Sequence, residues 1–205
     1  MIRVPPGRSG RLWLRRRLAA ATRATTLLEQ KLRTLREEHR RLSLRAQHTG
    51  AQWAEHVADA ETWGLRAALA GGERGLRLAT TTDLATVTIT WTTSMGVTYP
   101  VEATYEPPHR PPGITVIGGG ALVRAEQVYR TALESAVRHA TVLEALRVVE
   151  HEITTTRQRV RALNRRWIPQ LRQATTDLEL ALEEQERAEG LTRRRAQRRT
   201  KEVTP

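Results

Sequence analysis

Histidines, glycines and carboxylates are where chemistry would first show in this 205-residue chain. His151 followed by Glu152 is the opening of a zinc-protease helix, in which a second histidine four residues on completes the metal pair and the glutamate serves as base. Position 155 is Thr, so that ligand is missing. His39 has no companion ligand three or four residues away and reads as a partly buried residue that helps set helix register. A phosphate-binding loop needs Gly-x4-Gly-Lys-Ser/Thr, so that backbone amides and one lysine surround the phosphates. Gly71-Gly72-Glu73-Arg74-Gly75 and Gly118-Gly119-Gly120 lack the Lys-Ser/Thr pair and read as linkers. There is no Gly-x-Ser-x-Gly elbow, and without cysteine there is neither a thiolate nucleophile nor a disulfide framework. Glu183, Glu184 and Glu186 lie among arginines with the spacing of a solvated helix face. The residues therefore predict no active site, no bound metal and no cofactor.

Charge is more informative. The net charge is +12, and only Lys31 and Lys201 are lysines, so the basic side chains are almost all Arg. Residues 1–50 carry a net +10 and residues 187–205 a net +5, which leaves −3 for everything between. A helical hairpin would bring the two ends to one tip and concentrate positive potential there, at Arg8, Arg11 and Arg15 from one end and Arg193, Arg194 and Arg195 from the other. Such a tip suits an anionic partner, and a basic coiled-coil nucleic-acid binder or scaffold is one class it would serve. No stretch of 18 apolar residues is present to span a bilayer, and the N-terminus has no apolar run of signal-peptide length, so a soluble intracellular protein is expected.

The elements that must carry these charges are long helices. Phe is absent and aromatics make up 4%, which suits a narrow Leu/Ala/Val seam better than a thick core. Pro5, Pro6 and Gly7 keep the first residues out of a helix, and Ser9 is placed to cap the one that follows. From Leu14 through Leu18, Ala21, Thr25, Leu28, Leu32, Leu35, His39, Leu42, Ala46 and Thr49 to Trp53, apolar or small residues recur at steps of three and four. That is a heptad seam. With no proline between Pro6 and Pro100 the helix runs to about Leu69, where Gly71 and Gly72 end it; roughly 60 residues at ~1.5 Å each give ~90 Å. The C-terminal part has a matching seam in Ile153, Thr156, Val160, Leu163 and Trp167, then Leu171, Ala174, Leu178, Ala181, Gln185 and Ala188. The two halves meet out of phase at Trp167-Ile168-Pro169, a four-residue stutter at a proline, which predicts a bend or local unwinding there. Upstream, Ala125, Val128, Ala132, Leu133, Ala136, Ala140, Leu143 and Leu146 have mixed spacings that suit a wider packing face.

Between the helices the period changes to two. Thr86 to Thr92 alternate threonines with Val87, Ile89 and Trp91; Ser94-Met95-Gly96 can turn the chain; Val97, Tyr99, Val101, Ala103 and Tyr105 resume the alternation. This predicts a β-hairpin with an apolar face of Val87, Ile89, Trp91 and Tyr99, resting on the rod's end or on another protein. Pro107, Pro108, Pro111 and Pro112 then make a stiff connection. The fold class is mostly α, with two long terminal helices in an antiparallel, left-handed coiled coil around a small hairpin segment. The divisions are 1–70, 71–120 and 121–205.

The chain resembles a known family, the D subunits of the V-type (A/V-type) ATPases and ATP synthases, which form the central rotor shaft. The resemblance lies in Arg8, Leu12, Leu14, Arg15 to Leu18, Leu27, Leu28, Lys31 and Leu35 in the first helix. In the last it lies in Thr155-Thr156-Arg157, Arg159 to Leu163, Trp167-Ile168-Pro169 and Leu182 to Arg187. Asn164 stands where the family usually has an acidic residue and Arg161 where Asn is usual. The resemblance implies a non-catalytic component whose helical tip enters a hexameric head of catalytic A and B subunits. It implies contacts with the small F subunit and with the funnel-shaped C subunit that joins the shaft to the membrane ring, and a place on the inner face of the cell membrane without insertion into it. Neither cofactor nor nucleic acid is expected. An F-type gamma shaft needs a much larger α/β domain between its helices than the 50 or so residues here provide.

Overall fold

A computed structural model describes residues 4–79, 83–108 and 119–203. Pro111, Pro112 and Gly118 of the expected connection lie outside them. In chain order the elements are α1 (Gly7–Ala79), β1 (Thr86–Ser94), β2 (Val97–Glu106), α2 (Gly119–Ala162), a π-helical turn (Leu163–Trp167) and α3 (Ile168–Val203). The mostly helical class with one small antiparallel hairpin is thus present, and the chain divides into two compact units.

The first unit comprises residues up to Leu32 and from Thr155 onward. Here the start of α1 lies antiparallel to α3. Leu14, Ala21, Ile168 and Leu171 form the buried centre, with Val4, Trp13, Leu18, Trp167, Ala174 and Leu178 packed around it. Burial follows the heptad steps because only one narrow stripe of each helix can face the other. The helix begins at Gly7, two residues before Ser9. The Ser9 hydroxyl donates back to the Pro6 carbonyl at 3.0 Å and caps no amide, a correction to the expected role. Gly10 is needed at this entry, since a Cβ there would overlap the Pro5 carbonyl.

The second unit, Arg33–Thr154, holds the rest of α1, the hairpin and most of α2. Leu35 and Leu42 are buried, and the stripe continues past Trp53 through Ala60 and Ala67, which pack against α2 at Val128 and Ala132 and at Leu122 and Ala125. The buried set of α2 includes Leu122, Ala125, Val128, Ala132, Ser135, Val142, Ala145, Val149 and Ile153. Thr141 and Ala145 are buried beside the stripe of Ser135, Val142 and Val149, so the middle of α2 buries a face wider than a two-helix seam, in line with its mixed spacings. Leu133 and Leu143 lie off that face and are about half exposed. Small residues let the helices approach closely: the Tyr129 hydroxyl would lie 2.7 Å from a Cβ at Gly64. Helix α1 does not stop at Leu69. Gly72 takes φ 60°, ψ −178°, a conformation only glycine adopts without strain, and helical geometry resumes beyond this kink as far as Ala79.

In the hairpin, Met95 and Gly96 both have positive φ, 51° and 75°, as a two-residue turn matched to strand twist requires. Thr90 pairs with Glu102 but Trp91 with Pro100, so Val101 is an extra residue, a β-bulge beside a proline that cannot donate to the ladder. The bulge reverses the alternation of β2. Val87 and Ile89 face Tyr105 and Ala103, whereas Tyr99 is opposite Thr92, on the other side of the sheet from Trp91. The expected face of Val87, Ile89, Trp91 and Tyr99 is therefore not one face. The first three are roughly half exposed, while Tyr99 is buried with Val97.

Candidate functional site

The π-helical turn places the functional features of the first unit. From Leu163 to the buried Ile168 is five residues, and the Ile168 amide donates to the Leu163 carbonyl, the i to i+5 bond that defines the turn. One surplus residue is absorbed there, and the seam leaves in phase through Leu171 and Leu178. Ile168 occupies the buried place that the spacing alone assigned to Trp167. Pro169, the second residue of α3, is exposed at the widened turn, where its missing N–H leaves no gap in an α-helical ladder. Trp167 lies over the cluster, with the Arg17 guanidinium 5.8 Å from its ring centroid and 4.8 Å from that of Trp13.

Of the other expected seam residues, Leu32, Leu35, Leu42 and Ile153 are buried, and Leu18, Leu28, Val160, Leu163 and Leu178 are partly buried. Ala181, Gln185 and Ala188 are exposed, and Leu182 is the last partly buried leucine of the stripe. At the expected tip, Arg15 donates to Glu179 at 2.8 Å and Arg8 to Glu186 at 3.3 Å, exposed bridges that fix antiparallel register more than they stabilise. Arg11 is partly buried against the pair. Arg193, Arg194 and Arg195 project from α3 beyond the reach of the α1 stripe, Arg193 4.0 Å from Glu189.

Two polar contacts hold the hairpin to α1 in the second unit. Tyr99 donates to Glu38 Oε1 at 2.9 Å, and Arg45 donates to the Val101 carbonyl at the bulge at 3.2 Å. The hairpin thus rests on α1 near residues 38–45, not at a helix end. Burial raises the Glu38 pKa, but hydrogen bonds from Arg41 and Tyr99 and the Arg41 charge outweigh it and hold the carboxyl below its usual range. Tyr99 is pushed up, first by burial and then by its bond to Glu38 and that residue's charge. A second polar layer joins α1 to α2. Trp53 stacks on His139 with centroids 5.6 Å apart, and Thr49 shares a 3.0 Å hydrogen bond with His139 Nδ1. Sequence reasoning missed Glu38 and His139, whose partners lie about 60 and 90 residues away. Only the three-four continuation through Ala60 and Ala67 could have extended the α1 stripe.

Among the described residues no group of three His, Asp or Glu side chains could hold a metal ion. None of their helices is long and apolar enough to cross a membrane. Fold and surface together define a long-helix, antiparallel coiled-coil protein with a β-hairpin inserted between the helices and an arginine-rich end. A family model for the D subunit of ATP synthase matches residues 12–198, and the chain belongs to that family. It is also similar to the D subunit of the A-type ATP synthase of Methanopyrus kandleri, with 29% identity over 191 residues, covering 90% of this chain and 81% of the relative. The chain is thus a component of a rotary ATPase.

Proposed function

We propose that the chain is the non-catalytic central shaft of a V-type (A/V-type) rotary ATPase or ATP synthase, transmitting torque between the hexameric head and the ion-translocating membrane ring. The observation that carries this reading is the antiparallel helix pair of the first unit, with its continuous buried stripe and its basic end, in a chain of the ATP synthase D-subunit family. Torque suits such a pair, because a twist applied at one end is shared by many small seam contacts. One asymmetric shaft within three otherwise equivalent catalytic interfaces gives them different relative free energies, and rotation moves that difference from one to the next. In this reading Arg8, Arg11, Arg15 and Arg193 to Arg195 enter the head formed by catalytic A and B subunits. The small F subunit and the funnel-shaped C subunit bind other parts of the chain, and the complex lies on the cytoplasmic face of the cell membrane with no part of this chain inserted. Co-purification tests it: a tagged chain is expected to bring down the A and B head subunits. Recovery of the chain without them, together with full coupling of hydrolysis to ion transport in a strain lacking it, would refute the shaft role.

A further inference from the structure

Strand β1 is the outer strand of the hairpin, and among the described residues no strand pairs with its far edge. Its partner β2 faces α1, through Tyr99 on Glu38 and the Val101 carbonyl on Arg45, and Val97, Tyr99, Pro100 and Ala103 are buried there. From Thr86 to Trp91 every residue of β1 is exposed. Alternate residues of a strand turn their N–H and C=O to the same side, so about half of β1 presents backbone donors and acceptors to the free edge. Such an edge is a template for another strand, and proteins guard it with charges, proline or a bulge. In this hairpin those features lie on β2, as Pro100, the Val101 bulge, Glu102 and Glu106. Strand β1, Thr86–Ser94, contains no charge, no proline and no glycine.

The side chains of β1 select the strand that fits. Turned about a two-fold axis at Ile89, a second β1 runs antiparallel with Ile89 opposite its own copy, Val87 opposite Trp91, Thr88 opposite Thr90 and Thr86 opposite Thr92. Directly opposed residues share a face, so one face of the joined strands is aliphatic and aromatic throughout and the other is threonine throughout. Aromatic with β-branched and threonine with threonine are both favourable cross-strand pairs, and no like charges meet. An axis at Thr88 would set Trp91 against Ala85, and one at Thr90 would set Val87 against Thr93. Only the Ile89 axis opposes all three apolar side chains to one another. Val87, Ile89 and Trp91 are roughly half exposed in the single chain, so pairing removes apolar surface from water. The second unit, which carries the hairpin, has 13 basic residues against 14 acidic ones, a net −1, so two copies of it meet with little repulsion. A strand of unrelated sequence would match this edge by its backbone alone, whereas a second copy matches it by side chains as well.

We infer that the free edge of β1 is a self-pairing surface, through which two copies of this chain join β1 to β1 about Ile89 into one four-stranded antiparallel sheet. This pairing goes beyond the shaft reading and does not depend on it. One shaft serves one rotary complex in that reading, so the pair belongs to the chain outside the complex. An isologous contact closes at two copies, and it shields an edge that would otherwise recruit strands without limit. The contact is one strand wide on each side, which places it among weak, reversible associations.

The chain has no cysteine, so a single introduced one reports which residues meet. Under mild oxidation of the full chain, Ile89→Cys, at the axis, is compared with Leu133→Cys, about equally exposed on α2. Ile89→Cys is expected to give a covalent dimer about tenfold faster, because opposed Cβ atoms lie near disulfide distance. Equal rates would overturn the pairing. Sedimentation velocity at rising concentration is expected to take the wild-type chain from monomer to dimer and no further. Val87→Lys with Trp91→Lys sets lysine against lysine twice and should weaken the dimer about tenfold, whereas Val87→Lys with Trp91→Glu sets opposite charges together and should restore it. Circular dichroism melting confirms that both double variants, changed only at exposed positions, are folded. A wild-type monomer at every concentration would overturn self-pairing and leave the edge to a strand of another protein. Growth beyond the dimer would overturn the closed contact, and equal association of the two double variants would overturn the Ile89 register. None of these failures touches the shaft reading, which co-purification with the head tests separately.

Discussion

Leu171 and Leu14 are fully buried in a seam only two helices thick, so removing either leaves a cavity that no third layer can fill. Leu171→Ala is expected to cost ~2–4 kcal/mol in urea unfolding, whereas Leu180→Ala, on the exposed face of the same helix, should stay within ~0.5 kcal/mol. Equal effects would mean that the stripe carries no special share of stability. Tyr99 and Glu38 act through charge. A carboxyl whose folded pKa is depressed contributes stability that is present above its unfolded pKa, near 4.5, and lost as pH falls through the lower folded value. A phenol whose folded pKa is raised contributes stability that is present below about 10 and lost as pH rises through the higher folded value. Glu38→Gln should therefore flatten the acid limb of the stability profile, measured by urea midpoints across that range. Tyr99→Phe should cost ~1 kcal/mol at neutral pH and flatten both limbs, because the hydroxyl that Glu38 accepts from is gone. An acid limb unchanged in Glu38→Gln would show that the contact makes no net contribution.

The π-helical turn is where sequence and structure differ most usefully among the elements. The heptad stripe of α1 from Leu14 to Thr49 was legible, because two packed helices leave each residue either on the seam or off it and the spacing records which. The phase break at Trp167-Ile168-Pro169 was legible as a break, but its size was not. A stutter counted on an ideal helix assumes 3.6 residues per turn, whereas the chain widens one turn and accepts a single extra residue, so Ile168 is buried where Trp167 was expected. The Val101 bulge hid the faces of β2 for the same reason, since one inserted residue reverses a period of two. Glu38 and His139 were illegible because a polar residue on a helix shows no preference until its distant partner is in place. Pro169→Ala alone restores a donor but leaves the extra residue, so the π-turn should persist. Deleting Asn164 as well removes the surplus, and the helix should close into regular α geometry with Leu171 still on the seam and stability at least that of Pro169→Ala. Deleting Gln173 instead should rotate Leu178 about 100° off the seam and lower the melting temperature sharply. Crystal structures and melting curves of the two deletions distinguish these outcomes, and equal loss in both would refute the single-residue account.

At the scale of the whole molecule, stability and positive charge reside in different residues. The buried stripes are Leu, Ala, Val and Ile, with a few small polar side chains, while the surplus charge is carried by exposed arginines of the first unit, few of which are paired. Exposed ion pairs such as Arg8 with Glu186 add little to stability. Surface charge of this amount is therefore better explained by a partner than by the fold. Removing residues 190–205 makes the distinction measurable. These residues hold Arg193 to Arg195, and none of those described is buried; Leu191 is 57% exposed. They contribute six basic residues against one carboxylate, a net +5. A chain ending at Glu189 should keep its melting temperature within about a degree, because exposed surface changes are worth ~0.5 kcal/mol or less. Yet it should associate more weakly with the A/B head and couple hydrolysis to ion transport less completely. A lower melting temperature would show that the segment packs in the fold. Unchanged head association and coupling would show that the tail is not the part of the first unit that the head holds.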